Sequence, residues 1–382
     1  MRLIAPFGFY GAGNIGDEAT LHGFARLVRS RPPSPSVWVG SCDPRHDARV
    51  EPAFRYYQAG RKSLRRRWAT AVADAVVFPG GTPIMDGLGS WPLDEVVPIV
   101  AEARQARRPV AFVGVGTETL DRPESRARFR DHLVPHVRHW SVRSRHDADR
   151  LASWGVAAAR ITVAADMAWL IEPVSAEFGR TIFEEIDVDP DAYLIGINVN
   201  NEAIMRQREP ELFESLAAFA DGLVDDRDAT VVFFCSEIRT GPEYDQAAAG
   251  HVMAAMRHAN RARMVPNRYW SPRELMSILA CCRLVVSTRY HVCLFAALQQ
   301  VPFVALQRSD KVRDLCADLQ WHAGLPLGHI RPPALRDLLE GIEGDRARMV
   351  DVLLRGAEDR AQQSWKNQTA LDALIDASSS LA

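Results

Sequence analysis

Along the chain, short and continuously apolar runs alternate with longer amphipathic stretches. In the first half the strand candidates are "RLIAPF", "SVWVGS", "DAVVFPGG", "PVAFVGVG", "HWSVRS" and "RITVAAD". Helical patterns such as "LDEVVPIVAEARQARR" and "RHDADRLASWG" lie between them. Runs that are apolar throughout, rather than at every second position, are what parallel strands show when both faces are covered. The pattern therefore predicts α/β architecture. After the polar, proline-bearing stretch "IEPVSAEFGRTIFEEIDVDPDA" it restarts, with "YLIGINVN", "ATVVFFCSE", "ARMVPN", "RLVVSTR" and "VPFVALQ". The predicted boundary divides residues 1–173 from residues 174–382, the second part ending in a long helical tail from about Pro332 that is expected to pack back across the domain junction. Two Rossmann-like domains facing a cleft are expected.

A chain of 382 residues exceeds what one ordinary core organises, which also argues for two domains. A composition of 47% hydrophobic and 25% charged residues fits a globular protein. The formal net charge of -2 gives no electrostatic case for nucleic acid. No apolar run reaches the roughly 18 residues of a membrane span. The start, "MRLIAPF", lacks the basic opening and cleavage site of a signal peptide, so a cytoplasmic protein is expected. Cys42, Cys235, Cys281, Cys282, Cys293 and Cys316 form no C-x-x-C motif and read as reduced, mostly buried thiols. His132, His136 and His139 have a helix-face spacing, but Pro135 interrupts it and no acid or cysteine completes a ligand set. A solvated helix face is expected there, and no metal.

The stretch "GFYGAGNIGDEATL" contains Gly11-x-Gly13-x-x-Gly16 after an apolar run, the letter pattern of a dinucleotide-binding turn. Asp17 and Glu18 fall where the helix begins and would set negative charge against an arriving pyrophosphate. Asp43, after the second strand run, stands where an acid could hold an NAD ribose, so that reading stays open at this point. In open parallel sheets ligands bind beyond the carboxyl ends of the strands. The loops there are "GFYGAGNIGDE", "PGGTPIMDG", "GVGTET", "SVRSRHD", "NVNNEA", "CSEIRTGPE" and "STRYHVCLF". Asp86, Arg143, Arg289 and His291 supply their chemistry.

Three of these loops carry a resemblance. "GAGNIGDEATL", "GGTPIMD" and "STRYHVCLFAALQQVPFVAL" resemble signatures of the polysaccharide pyruvyl transferase family: a G-x-x-N-x-G-D-E segment, a glycine loop, and an S-x-R-x-H helix start followed by a V-P strand. "SVRSRHDADRL" is similar to the family's arginine-bearing strand end and "DKVRDLCADL" to its lysine-bearing helix. The resemblance runs from roughly Arg2 to Leu319. It implies a GT-B-like fold and transfer of the pyruvyl group of phosphoenolpyruvate (PEP) onto two hydroxyls of a sugar, as a cyclic ketal with release of phosphate. PEP is then a co-substrate, and no cofactor is expected. The glycine loop becomes a backbone turn beside the ligand. The candidate substrate-binding residues are Arg289, Arg143, Gly13, Asn14, Asp17, Gly80, Gly81, Thr82, Ser287, Tyr290 and Lys311, with Arg143 and Arg289 fixing the donor. The family usually has a glycine where this chain has Thr82, which bears on the shape of the acceptor pocket.

Elementary chemistry agrees with the donor. PEP carries a phosphate and a carboxylate, and arginine offers a planar, permanently charged fork for either. The helix opening after Arg289 adds free backbone N–H groups that favour an anion. His291, two residues on, suits proton transfer near neutrality, and Asp86 in the glycine loop is the candidate base. Each also has a plainer reading: Arg143 and Arg145 as surface charges, Asp86 and Asp166 as turn acids, Asp17 as an N-cap or structural acid and not a catalyst, Lys311 as a solvated lysine. "RKSLRRRW", residues 61–68, reads as a solvated basic helix face, with an anionic lipid surface as the alternative. Trp91 and Trp321 are candidates to stack on a sugar, or core residues. The competing functional classes are a GT-B glycosyltransferase using a nucleotide-sugar, and a catalytically silent sugar-binding relative. The expected partners are PEP and a sugar acceptor that is nucleotide- or lipid-linked, with at most peripheral contact with the inner face of a membrane.

Overall fold

The computed structural model describes residues 3–59, 64–87 and 89–379. Two units divide the chain: Met1–Ile171 together with Arg360–Ala382, and Glu172–Asp359. In the first unit seven strands run parallel, β1 (Leu3–Pro6), β2 (Ser36–Ser41), β3 (Arg55–Gln58), β4 (Ala75–Pro79), β5 (Val110–Val115), β6 (Val137–Val142) and β7 (Ile161–Val163). Their order is β3-β2-β1-β4-β5-β6-β7. In the second unit β8 (Leu194–Asn198), β9 (Thr230–Phe233), β10 (Ala262–Met264), β11 (Leu284–Ser287), β12 (Phe303–Gln307) and β13 (Gly324–Pro326) form a parallel sheet in the order β10-β9-β8-β11-β12-β13.

Counted from its own first strand, each sheet has the doubly wound order 3-2-1-4-5-6, the first with one more strand at its edge. The order reverses between β1 and β4 and again between β8 and β11. The loops leaving those strands are where such a sheet receives a ligand.

The continuously apolar strands are buried on both faces, as in "AVVFP" of β4 and "VAFVGV" of β5. On one face of the first sheet Phe78, Phe112 and Trp140 stack across three strands, with centroids 4.5 Å and 4.3 Å apart and planes 11° and 10° from parallel. On the other face Ile4, Val37, Val39, Val77 and Val113 pack with Leu21, Phe24 and Leu27 of the helix Ile15–Arg29. Ala370, Leu371 and Leu374 of the helix Gln368–Ser379 complete that layer.

This last contact is the return of the helical tail across the domain junction that the sequence suggests. The chain returns to the first unit within the helix Arg346–Trp365, and Asn367 pins it. Its side-chain N–H donates to the carbonyls of Ala165 and Ser364, each at 2.8 Å, and its carbonyl accepts from the Ser141 hydroxyl.

Other local outcomes follow from burial. His139 lies on β6 with Nε2 2.8 Å from the Thr162 hydroxyl, while His132 lies in the turn Phe129–Leu133. The three histidines therefore share no helix face. All six cysteines are free thiols. Trp321 is a core residue: its ring stacks on Phe303, and its N–H donates to the Phe303 carbonyl at 2.9 Å.

Candidate functional site

At the carboxyl end of β1 the chain makes its glycine turn. Gly11 has φ +69°, and a Cβ there would lie 2.3 Å from the Asp43 backbone nitrogen, so a side chain is excluded. The loop is closed by its own helix. Asn14 caps that helix by accepting from the Gly16 N–H, and the Gly11 N–H donates to Glu18 Oε1 at 2.9 Å. A buried carboxylate thus takes a backbone N–H that a pyrophosphate would need. Asp43 caps a helix as well, accepting from the His46 N–H at 3.1 Å. Neither residue is arranged for a dinucleotide.

After β4 the loop brings Gly80, Gly81 and Thr82 beside this turn. Where a Cβ on Gly81 would stand, the nearest atom is Asp17 Oδ1, 3.9 Å away. Thr82 accepts from Arg143 Nη2 at 3.2 Å, and Arg143 Nη1 lies 3.3 Å from Asp166 Oδ2. Gly116 makes room for this arginine: a Cβ there would sit 2.1 Å from its guanidinium. Asp166 also caps the turn Met167–Leu170 through the Ala168 N–H at 3.0 Å. The result is one buried cation, Arg143, held at the end of β6, with Arg145 exposed on the helix behind it.

Asp86 is placed differently from the sequence expectation. It is buried, its Oδ1 accepts from the Asp121 N–H at 3.1 Å, and its Oδ2 accepts from the Arg122 N–H at 2.8 Å. Burial alone would raise its pKa, but these two backbone bonds and the Ser125 hydroxyl bring it below the usual carboxylate value. A carboxylate stabilised in this way is a weak base. Its work is to tie two loops together.

The second unit gathers four strand ends. Helix Tyr290–Leu298 is buried nearly all round, which leaves its polar residues at the N-terminus. Arg289 stands in the cap position, its backbone N–H donating to the Ser287 hydroxyl at 3.0 Å. That hydroxyl in turn donates to Asn198 Oδ1 at 3.0 Å. The Arg289 guanidinium donates to Asp245 Oδ1 through Nε at 3.1 Å and through Nη2. Asp245 is itself buried and saturated: its Oδ2 accepts from the Ser236 N–H at 2.9 Å, the Ser236 hydroxyl at 2.8 Å and Asn198 Nδ2 at 3.0 Å. Burial would pull the Arg289 pKa down, but Asp245 outweighs it and holds the pKa above the ordinary value.

A second arginine, Arg308, follows β12. Its Nε donates to the Thr288 carbonyl at 3.1 Å, and its Nη1 bonds Glu202 Oε2. Glu202 Oε1 lies 3.6 Å from Arg289 Nη1 and accepts from Asn200 Nδ2 at 2.6 Å. Thr288 donates to Asn200 Oδ1 at 3.1 Å. Two largely buried guanidinium groups are therefore bridged by one partly exposed carboxylate, beside a helix N-terminus. His291 lies in the first turn of that helix, its ring 5.0 Å from Tyr290, and Lys311 is the second residue of the helix Asp310–Asp318. Arg308, Glu202 and Asp245 are absent from the sequence expectation, and they anchor the arginine that it did single out.

The segment 14–310 matches the family model for polysaccharide pyruvyl transferase. The chain belongs to that family. Membership makes it a transferase enzyme, and the sequence resemblance is thereby confirmed. No curated protein matches the sequence. Among solved structures, HepE from Anabaena in complex with UDP-glucose is 14% identical with a TM-score of 0.67, covering 98% of this chain and 100% of that one. The UDP-GlcNAc 2-epimerase of Neisseria meningitidis bound to UDP-GlcNAc is 10% identical with a TM-score of 0.66, covering 98% and 100%. The S. aureus MnaA–UDP structure is 12% identical with a TM-score of 0.63, covering 92% and 90%. These likenesses show the fold, a GT-B-like pair of parallel α/β domains. Among the described residues no group of three or more histidine, cysteine, aspartate or glutamate side chains is placed to hold a metal, and no helix is long and apolar enough to cross a membrane.

Proposed function

We propose that this member of the family transfers the pyruvyl group of PEP onto two hydroxyls of a sugar in a glycan or glycan precursor. The observation that carries this reading is the pair Arg289 and Arg308 at the ends of β11 and β12. PEP bears two anionic groups, and two fixed, permanently charged forks suit one group each. The helix N-terminus at Tyr290 adds backbone N–H groups to the phosphate side.

In this reading His291 gives a proton to the methylene carbon of PEP, which becomes a methyl group and leaves an oxocarbenium-like centre at the neighbouring carbon. One sugar hydroxyl adds to that carbon. Phosphate departs with the electrons of its C–O bond, and the second hydroxyl closes the ketal. The two hydroxyl protons balance the one gained by carbon and the one carried off with phosphate or solvent. Asp86, held by two backbone N–H groups and kept below the usual carboxylate pKa, is a poor base for the first hydroxyl.

Taken by itself, the first unit offers a sugar-binding surface at its glycine loops. Phe9, 38% exposed, makes an edge-to-face pair with Trp91 at 4.6 Å, an apolar surface of the kind that stacks on a sugar ring. A nucleotide- or lipid-linked sugar fits such a surface, and a lipid-linked one would bring the enzyme to the inner face of the membrane. The test is phosphate release from PEP with a panel of such sugars, with the ketal identified by mass and NMR. Sugar transfer from a nucleotide-sugar, with PEP left intact, would establish the glycosyltransferase reading instead.

A further inference from the structure

The helix Leu64–Val72 is built inside out. Its buried residues are Arg66, Ala69 and Thr70, and Arg66 reaches Glu102 Oε1 at 2.9 Å. Its large apolar residues face solvent instead: Leu64 is 79% exposed, Trp68 53% and Val72 40%. With Ala71, which is also exposed, these side chains fall within an arc of about 100° on the helix surface. Arg67, its Nε 3.9 Å from Glu102 Oε1, borders the arc on one side and Arg65 on the other, both exposed, and the helix itself carries no carboxylate. The Trp68 ring rests on Trp38, with centroids 5.0 Å apart. Arg108, half-buried, donates to the Ala71 carbonyl through Nη2 at 2.9 Å and adds charge at the far end. In the sequence Arg61 and Lys62 precede the helix, outside the described residues.

We propose that this face docks onto an anionic lipid surface, with Leu64, Trp68 and Val72 entering the headgroup–acyl boundary and Arg65, Arg67 and Arg108 on the phosphates. An apolar stripe edged by basic side chains, with a tryptophan at its centre, matches an interfacial helix in both shape and charge. Charge complementarity selects this occupant over a second copy of the chain. A two-fold contact would set the same arginines of both copies against one another, whereas a negative surface attracts all of them. The proposal goes beyond pyruvyl transfer and does not depend on it.

The test is flotation of the full chain with vesicles of phosphatidylcholine alone and of phosphatidylcholine mixed with phosphatidylglycerol. Binding is expected only to the mixed vesicles and should weaken with added salt. Leu64→Glu should reduce partitioning at least tenfold with an unchanged thermal melt, because a side chain so exposed contributes little packing. Arg67→Gln should reduce it about fivefold, the share of one basic residue near such a surface. Failure of the wild type to float with anionic vesicles, or flotation of Leu64→Glu at the wild-type level, overturns the proposal. A lipid-free dimer that Leu64→Glu converts to monomer also overturns it, by making this face a contact between copies.

Discussion

In the proposed reading, Glu202 stands where the donor's anionic groups bind. Its Oε2 bonds Arg308 and its Oε1 lies 3.6 Å from Arg289 Nη1, so an incoming phosphate or carboxylate competes with it for both guanidinium groups. The Glu202 side chain is 39% exposed, so each pair is screened and is worth about 0.2–1 kcal/mol. Displacing both costs about 0.4–2 kcal/mol. Glu202→Gln keeps an oxygen for Asn200 Nδ2 and removes the charge. It should therefore lower the Kd for PEP by about 2- to 30-fold. Titration calorimetry of wild type and variant at low and moderate salt measures this directly, and the difference should shrink as salt rises. Weaker PEP binding by Glu202→Gln would refute the reasoning, because Glu202 would then be orienting the arginines and not competing for them.

The other predictions concern acids and a base elsewhere. His291→Ala should lower kcat by about 10²–10⁴-fold while changing the KM for PEP much less; near-normal kcat on the true acceptor would make His291 structural. Asp86→Asn should cost about 1–2 kcal/mol, the range for losing a capping carboxylate, with kcat held within about threefold. A loss of kcat of the size expected for a missing general base would restore Asp86 to that role. Asp47, wholly buried near Glu18, has its pKa pushed by burial from 3.8 up to about 6, against the downward pull of Ser41 and Glu18. The folded state thus keeps a proton that the unfolded chain has released. The stability this group lends is full below the unfolded value and is lost as pH rises through about 6. Asp47→Asn should raise stability by about 1–3 kcal/mol at pH 8 and change it little at pH 4, as read from urea melts at both pH values.

The central strands were legible because burial on both faces leaves an unbroken apolar run that no other local structure explains. The missed strands are the edges β3 and β13. In β3, Arg55 and Gln58 are exposed and the tyrosines half-buried, and β13 is only "GLP"; with one neighbour and partial burial, neither leaves an apolar signature. Arg289 was legible from its motif, but its anchor was not. Asp245 opens a helix well downstream of β8 and meets the arginine only through tertiary folding. Arg308 did leave a signal: it is the first charged residue after the apolar run "VPFVALQ", at a strand end of the kind that carries ligand groups. Asp86 reads from sequence as either a candidate base or a turn acid, because a catalytic acid and a loop-tying acid look alike there. The N–H groups that decide between them belong to Asp121 and Arg122, about 35 residues away.

The docking of Ala370, Leu371 and Leu374 against the first sheet has a consequence for synthesis. A ribosome delivers the strands of that sheet early, yet the part of one face over β5 and β6 lacks its cover until the helix Gln368–Ser379 has been made. Asn367, whose amide is clasped by Ala165 and Ser141, cannot seat before then. The second unit, Glu172–Asp359, lies wholly between these two events. The domain begun first is thus completed after the second, and a nascent chain stalled or cut before Asn367 would leave the part of that layer around Ala111 and Val113 without its cover, open to chaperones and proteases.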